Sequence, residues 1–270
     1  MIGLALVCLA VCTAVAAPLI APADPENQDI TEMTLPPMWM AGGSARHVLG
    51  TDSLGRDILS RIVFGSRVSL LVGLTAVCVQ GTIGVLLGLV AGYYGGKAEA
   101  IIMRIADIQL GVPTLILALS VMAVLGSSLQ NVILVLGVTG WVMWGRVVRA
   151  EVLTIREKEY TEAARALGAS NLRQIFRHVL PNVRASMIVV GTLEIPRMII
   201  SEASLSFLGF GVPPSIPTWG SMVTDGRDYI STAPWIAAFP GVAIALTVLG
   251  INLFGDWLRE FLDPRQRGGE

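Results

Sequence analysis

The sequence predicts an all-α integral membrane protein of six transmembrane helices, and three observations predict it. Hydrophobic residues make up 53% of the 270 and charged residues 14%, whereas a soluble domain is about 25% charged. The apolar residues are gathered into blocks, several of them near the roughly 20 helical residues that cross a hydrocarbon core about 30 Å thick. Basic residues concentrate between the fifth block and the one before it, and again at the carboxyl end, as they do in cytoplasmic segments.

The first block covers residues 1–17 and ends at Pro18, after which the chain is polar and proline-rich through Pro37. Val15-Ala16-Ala17 looks like a small-residue cleavage site, but no basic residue precedes the apolar run, so a retained first helix, residues 1–20, is expected. The missing positive start also points to a native start further upstream.

Residues 21–67 read as an extracytoplasmic segment. Its second half, HVLGTDSLGRDILSRIVFGSRVSL, reads as an amphipathic helix capped by Thr51, Asp52 or Ser53. Leu54, Ile58 and Ile62 would share one face, and Asp57 and Arg61 would form an acid-first pair on another. Such a helix lies in the membrane surface rather than crossing it.

Further blocks at 69–92, 101–125, 132–148, 185–208 and 235–258 complete the six, and residues 68–263 form the core of five helices. Arg146, Arg149, Arg156, Lys158, Arg165, Arg173, Arg177 and Arg184 mark the loop 150–182 as cytoplasmic, and Arg259, Arg265 and Arg267 do the same for the end of the chain, with 264–270 as a tail. Segments 21–67 and 209–234 then lie outside. Arg46, Arg56, Arg61 and Arg67 oppose this orientation, with Asp52 and Asp57 offsetting part of their charge.

A formal net charge of −1 gives no reason to expect a nucleic-acid partner. Cys8, Cys12 and Cys78 sit inside apolar blocks without metal-ligand spacing and read as buried thiols. Ala91-Gly92-Tyr93-Tyr94-Gly95-Gly96-Lys97-Ala98 fails as a phosphate loop, because Ala91 replaces its first glycine and Ala98 its serine or threonine. Glycines ending a span beside a cytoplasmic lysine explain it better. His47 and His178 fall on opposite sides of the membrane, so no shared metal is expected, and no hydrolase constellation is present.

The cytoplasmic loop holds EKEYTEAARALGASNLRQIFRHVLPN. Tyr160, Ala163, Ala164 and Leu167 share one helical face, and Lys158, Glu162 and Arg165 share another at ion-pair spacing. Gly168 fits the left-handed residue that ends a helix. Ser170 can cap a second short helix through about Val179, which Pro181 stops. The product is a helix, a sharp turn and a helix: either a connector lying on the bilayer or a docking element, whose small alanine-rich face suits a protein groove.

Within that loop Glu162-Ala163-Ala164, Gly168 six positions after the glutamate, and Leu180-Pro181 resemble the EAA signature of bacterial ABC importer permeases, with His178 where the signature usually has isoleucine. HVLGTDSLGRDILSRIVFGSRVSL, SEASLSFLGFGVPPSIPTWGSMVTDGRDYI and the later APW, FPG and DPR resemble the C-type subunit of the dipeptide, oligopeptide and nickel subfamily. The resemblance implies a type I ABC importer permease fold in the bacterial inner membrane. It makes the loop a coupling helix that enters a cleft on an ATPase subunit through Tyr160, Glu162, Ala163, Ala164, Leu167, Gly168, Leu180 and Pro181.

It also implies the partners: a second homologous permease, two ABC ATPase subunits that carry the ATP and magnesium, and an extracytoplasmic solute-binding protein. The chain itself would bind no cofactor and catalyse no reaction. Di- or oligopeptides are the implied cargo, with nickel chelates or another small solute as the alternative. Asp52, Arg56, Asp57, Trp219, Asp225 and Arg227 are the candidates for docking the binding protein.

Charge inside the bilayer needs a partner or water, since it costs about 2.5–3.5 kcal/mol near the centre. In the fifth block Glu194 and Arg197 are three residues apart on one face around Pro196, which should bend the helix. They are either a pair stapling the span to a neighbour or part of the solute path, with Glu202 nearer the outer end in interfacial water. Arg104 and Asp107 read as an interfacial pair. A secondary transporter using Glu194 and Glu202 as proton sites is the competing reading, and it needs no exposed docking helix.

Overall fold

A computed structural model describes residues 1–262; the Asp263-Pro264-Arg265 motif, Arg267 and the expected tail lie outside them. The elements are α1 (Ile2–Val15), a short α2 (Ala17–Ile20), α3 (Ile58–Tyr94), α4 (Gly96–Leu110), α5 (Thr114–Leu125), α6 (Leu129–Thr139), α7 (Trp141–Arg156), α8 (Glu159–Ala166), α9 (Asn171–Gln174), α10 (Leu180–Phe207), α11 (Trp219–Gly226) and α12 (Trp235–Leu262). The fold is all-helical, as the composition predicts.

The six apolar blocks all appear as helices, but they are not six equivalent rods. By length and composition three helical runs can cross a membrane: Ile58–Tyr94, Leu129–Arg156 and Trp235–Phe261. The 101–125 block is α4 and α5 bent by 88°, a fourth span if taken as one. The break falls at Gly111-Val112-Pro113, where the proline pushes the residue before it out of the helical region. Helix α1 has 14 residues. Helix α10 has 28 but carries Glu194, Arg197 and Glu202.

The expected surface helix over 51–67 does not form as a separate element. The Asp52 carboxylate accepts the amides of Leu54 and Arg56 at 2.8 and 3.0 Å, and Gly55 takes φ +74, so 51–57 close into a turn bridged between Thr51 and Asp57. A Cβ at Gly55 would lie 1.8 Å from the Asp29 carbonyl oxygen, so only glycine fits. Asp57 then caps α3, accepting from the Ser60 amide at 2.7 Å. One helix runs from that cap across the whole bundle. Leu54 is left exposed outside it, while Ile58 is buried with Met222 and Ile236.

Helix α3 is the axis, and a glycine seam fixes how closely α7 approaches it. Added Cβ atoms at Gly84, Gly88 and Gly92 would fall 2.4 Å from Trp144 Cβ, 2.7 Å from the Gly145 carbonyl oxygen and 2.7 Å from Val152 Cβ. Their spacing of four residues lines one helical face, and small residues there let two backbones meet. Gly140, between α6 and α7, is kept small by Gln80, whose Oε1 would stand 1.6 Å from an added Cβ. Helices α10 and α12 close the other side, with α1 seated on α12 where Gly3 meets Leu253 and Gly250 meets Leu6. The three cysteines are exposed rather than buried. They face outward from apolar helices, a side that periodicity over one block did not assign.

Candidate functional site

The loop between α7 and α10 folds as a hook. Helix α8 is held at its base by Thr161, which is buried and donates its hydroxyl to the Ile155 carbonyl at 3.0 Å. Its other end is a Schellman turn: the Gly168 amide donates to the Arg165 carbonyl and the Ala169 amide to the Ala164 carbonyl, both at 3.0 Å, with Gly168 at φ +78. The expected left-handed glycine is therefore present.

Helix α9 follows, and the return strut is anchored by Gln174, buried beneath it. Gln174 accepts from the Tyr93 hydroxyl at 3.0 Å and donates to the Ala169 carbonyl at 2.8 Å. Ile175 and Val179 join the main core cluster. The hook thus stands rigidly on the ends of α3 and α7, beside the glycines that end α3.

The hook presents apolar side chains among charged ones. Tyr160 and Leu167 are 45% and 89% exposed, and Ala163, Leu172 and Phe176 are exposed with them. Glu162 is exposed and Ala164 half-buried. Three expectations are corrected. Among the described residues no ion pair joins Lys158, Glu162 or Arg165, which are exposed. Ser170 stands at the N-cap of α9 but its side chain caps nothing. Pro181 does not stop a helix: a π-turn over Ile175–Val179 leads straight into α10, and Pro181 sits in its first turn, where a missing N–H is tolerated. Leu180 is half-buried and Pro181 exposed at this junction.

Along α10, Arg197 Nη1 donates to Glu194 Oε1 at 2.8 Å, so the expected pair forms within one helix. Its members differ in setting: the Glu194 side chain is 6% exposed and that of Arg197 66%. The helix continues through the buried Pro196. Glu202 does not meet interfacial water. It is 1% exposed and accepts hydrogen bonds from the Ser206 hydroxyl at 2.8 Å and the Thr218 hydroxyl at 3.0 Å, joining α10 to the cap of α11. Asp107 pairs with Arg146 of α7 rather than with Arg104, and Arg149 Nε reaches Glu99 at 2.7 Å. Both pairs tie α4 to α7, across a gap in sequence that local spacing cannot see.

The opposite end from the hook is closed by a charged latch. Asp52 accepts from Arg56 Nε at 2.7 Å and from Arg61, while Asp225 Oδ2 lies 3.2 Å from both guanidinium groups. Arg61 therefore pairs with Asp52 and Asp225, not with Asp57. Asp57 instead meets His47 at 2.9 Å, and His47 meets Glu32 at 2.9 Å. Trp219 donates its indole N–H to the Ile62 carbonyl at 3.0 Å.

Asp52, Arg56, Asp57 and Trp219 are buried, which corrects their assignment as docking contacts: Asp52 and Arg56 join the 51–57 turn to Asp225, Asp57 meets His47 and Ser60, and Trp219 bonds back to Ile62. Of the six docking candidates only Arg227 has a largely open side chain, 52% exposed, with Asp225 at 22%. Sequence reasoning missed Glu32, the structural role of Arg61 and the Gly84, Gly88, Gly92 seam. Only the last left a signal, its repeat of four.

Residues 84–268 match the family model described as binding-protein-dependent transport system inner membrane component. The chain is 45% identical over 263 residues to the di/tripeptide transport system permease protein DppC of Pseudomonas aeruginosa, covering 97% of this chain and 87% of that one. It is 39% identical over 267 residues to the oligopeptide transport system permease protein OppC of Bacillus subtilis, covering 99% and 86%. A solved structure of the inward-facing MetNI methionine ABC transporter superposes with a TM-score of 0.63 at 20% identity, over 76% of this chain and 98% of that chain, which is a likeness of fold.

Proposed function

Since the chain belongs to the family of binding-protein-dependent transport system inner membrane components, we propose that it is one permease subunit of an ATP-driven importer and forms, with a second permease, the path for di- or oligopeptides. The observation that carries this is the hook. A rigid element that holds Tyr160, Leu167, Leu172 and Phe176 out of any core is built to enter another protein. An ion-gradient transporter has no use for it.

In this reading an extracytoplasmic binding protein delivers the cargo, and a pair of ATPases binds ATP and magnesium. Closure of the ATPases pushes the hook around Glu162 and Gly168, and α3 and α7, locked at their glycine seam, carry the displacement to the membrane-spanning bundle. Peptide cargo is favoured by the relatives named as di/tripeptide and oligopeptide permeases. The binding protein would meet the rim near Arg227 rather than the buried latch.

The test is uptake of a labelled dipeptide into vesicles that contain the assembled complex. Uptake that requires ATP and proceeds without an ion gradient is expected. Gradient-driven uptake without ATP, or labelling of the hook from the side where the binding protein docks, would overturn the proposal.

A further inference from the structure

The Glu194–Arg197 pair is asymmetric, and the asymmetry selects a ligand. Arg197 lies ten residues before the end of α10 at Phe207, about 15 Å at the helical rise of about 1.5 Å per residue. That is beyond the reach of a guanidinium to the interface, and a two-thirds exposed guanidinium at that depth cannot rest against lipid tails. It faces water or protein. Only Nη1 is engaged, by a carboxylate that is itself buried, so the remaining donors point away from Glu194 without a partner among the described residues. An ion pair with the acid behind and the base in front receives an anion, not a cation.

The surrounding stripe is polar at both ends and apolar between Ser186 and Arg197. At about 100° per residue, Asn182, Ser186, Ser201 and Ser204 fall within roughly 60° of the direction of Arg197, with Val190, Leu193 and Ile200 among them, whereas Ile199 and Glu202 on the opposite side are buried. At its hook end this stripe enters a cavity of about 540 Å³ lined by Glu151, Lys158, Asn182 and Ser186. Ser201 and Ser204 beside a free guanidinium at that depth mark a stretch of this face that meets water or protein rather than lipid tails.

We propose that Arg197, oriented by Glu194, binds the free carboxylate of the cargo as it passes along this face of α10. This rests on the peptide reading above and deepens it. A planar guanidinium with a parallel pair of its donors free matches a carboxylate in a bidentate fork, which lysine cannot reproduce.

The experiment compares a labelled dipeptide with its carboxyl-terminal amide, both at concentrations that saturate the binding protein, in vesicles holding the complete importer. The double substitution Glu194→Gln/Arg197→Gln removes the pair without leaving a buried carboxylate uncompensated, and Arg197→Lys keeps the charge but not the fork. Uptake of the acid should fall on the order of tenfold in the double variant, the loss of one charge-assisted contact, while the amide changes less than twofold; Arg197→Lys should fall between. An unchanged acid-to-amide ratio in both variants overturns the inference alone. Loss of the partner permease on purification also overturns it, assigning Arg197 to an acidic group of that subunit. No dipeptide uptake by the unaltered complex would overturn the cargo reading and this inference together.

Discussion

His47 Nδ1 lies 2.9 Å from Asp57 Oδ1, while the other oxygen of that carboxylate caps α3 at the Ser60 amide. One acidic residue therefore fastens the 30–50 segment and starts the longest helix. Partial burial lowers the affinity of His47 for its proton, but hydrogen bonds and charge from Asp57 and Glu32 outweigh it, and the net pKa is raised above the usual 6.5.

A raised folded pKa means that protonation favours the folded state. The contribution is fully present below about 6.5 and is lost as pH rises through the higher folded value. Amide exchange or proteolysis of residues 30–50 should accelerate across that window, and His47→Gln should remove the pH dependence. Segment protection that is flat with pH in the unaltered protein would refute it.

Asp52 and Asp225 contribute unequally to the latch. Asp52 is 2% exposed and neutralises Arg56 and the buried Arg61; Asp225 is 22% exposed and stands farther off. Asp52→Asn should cost about 3–5 kcal/mol because it strands a buried charge. Asp225→Asn should cost roughly 1 kcal/mol, nearer a surface pair. Thermal unfolding in detergent should rank them in that order.

The glycine seam predicts a contrast within one residue type. Gly84→Ala would set a methyl 2.4 Å from Trp144 Cβ, whereas Gly241→Ala in α12 meets nothing within 4 Å. Overpacking at position 84 should destabilise by about 1–3 kcal/mol or more. At position 241 the change should be neutral or stabilising by up to about 1 kcal/mol, since alanine is the better helix former. The melting temperature should fall for Gly84→Ala and hold or rise for Gly241→Ala.

Gly168 has open space around it, so a substitution there is penalised by φ +78 alone. Gly168→Val should disfavour the turn by at least about 1–2 kcal/mol, roughly a tenfold depletion of the formed hook. The expected result in reconstituted vesicles is ATP hydrolysis that persists while uptake falls about tenfold. Equal uptake by both proteins would contradict a coupling role.

The helical blocks and the hook were legible because their causes are local. Apolar runs of span length and the glycine six residues past Glu162 act through the chain within a turn or two of themselves. Two local signals point the wrong way. Asp57 was four residues from Arg61 and seemed its natural partner on a helix, but the helix began only after it. Pro181 reads as a stop signal, but it lies in the first turn of α10, where a missing N–H is tolerated.

The sequence by itself determined an all-helical membrane chain, the order of its apolar elements and a protruding turn ending at Gly168, because helix periodicity and cap chemistry are short-range. Helical spacing paired Glu194 with Arg197, but tertiary structure decided which distant charges meet. Arg61 finds Asp225 across 164 residues, Asp107 finds Arg146, and Glu202 closes on Thr218. Burial decided the rest, sealing Asp52 and Trp219 inside and leaving Arg197 in the open. The physical reason is that a charge is satisfied by whatever packing brings within 3–4 Å, and that distance is set by how helices cross, which no local pattern encodes.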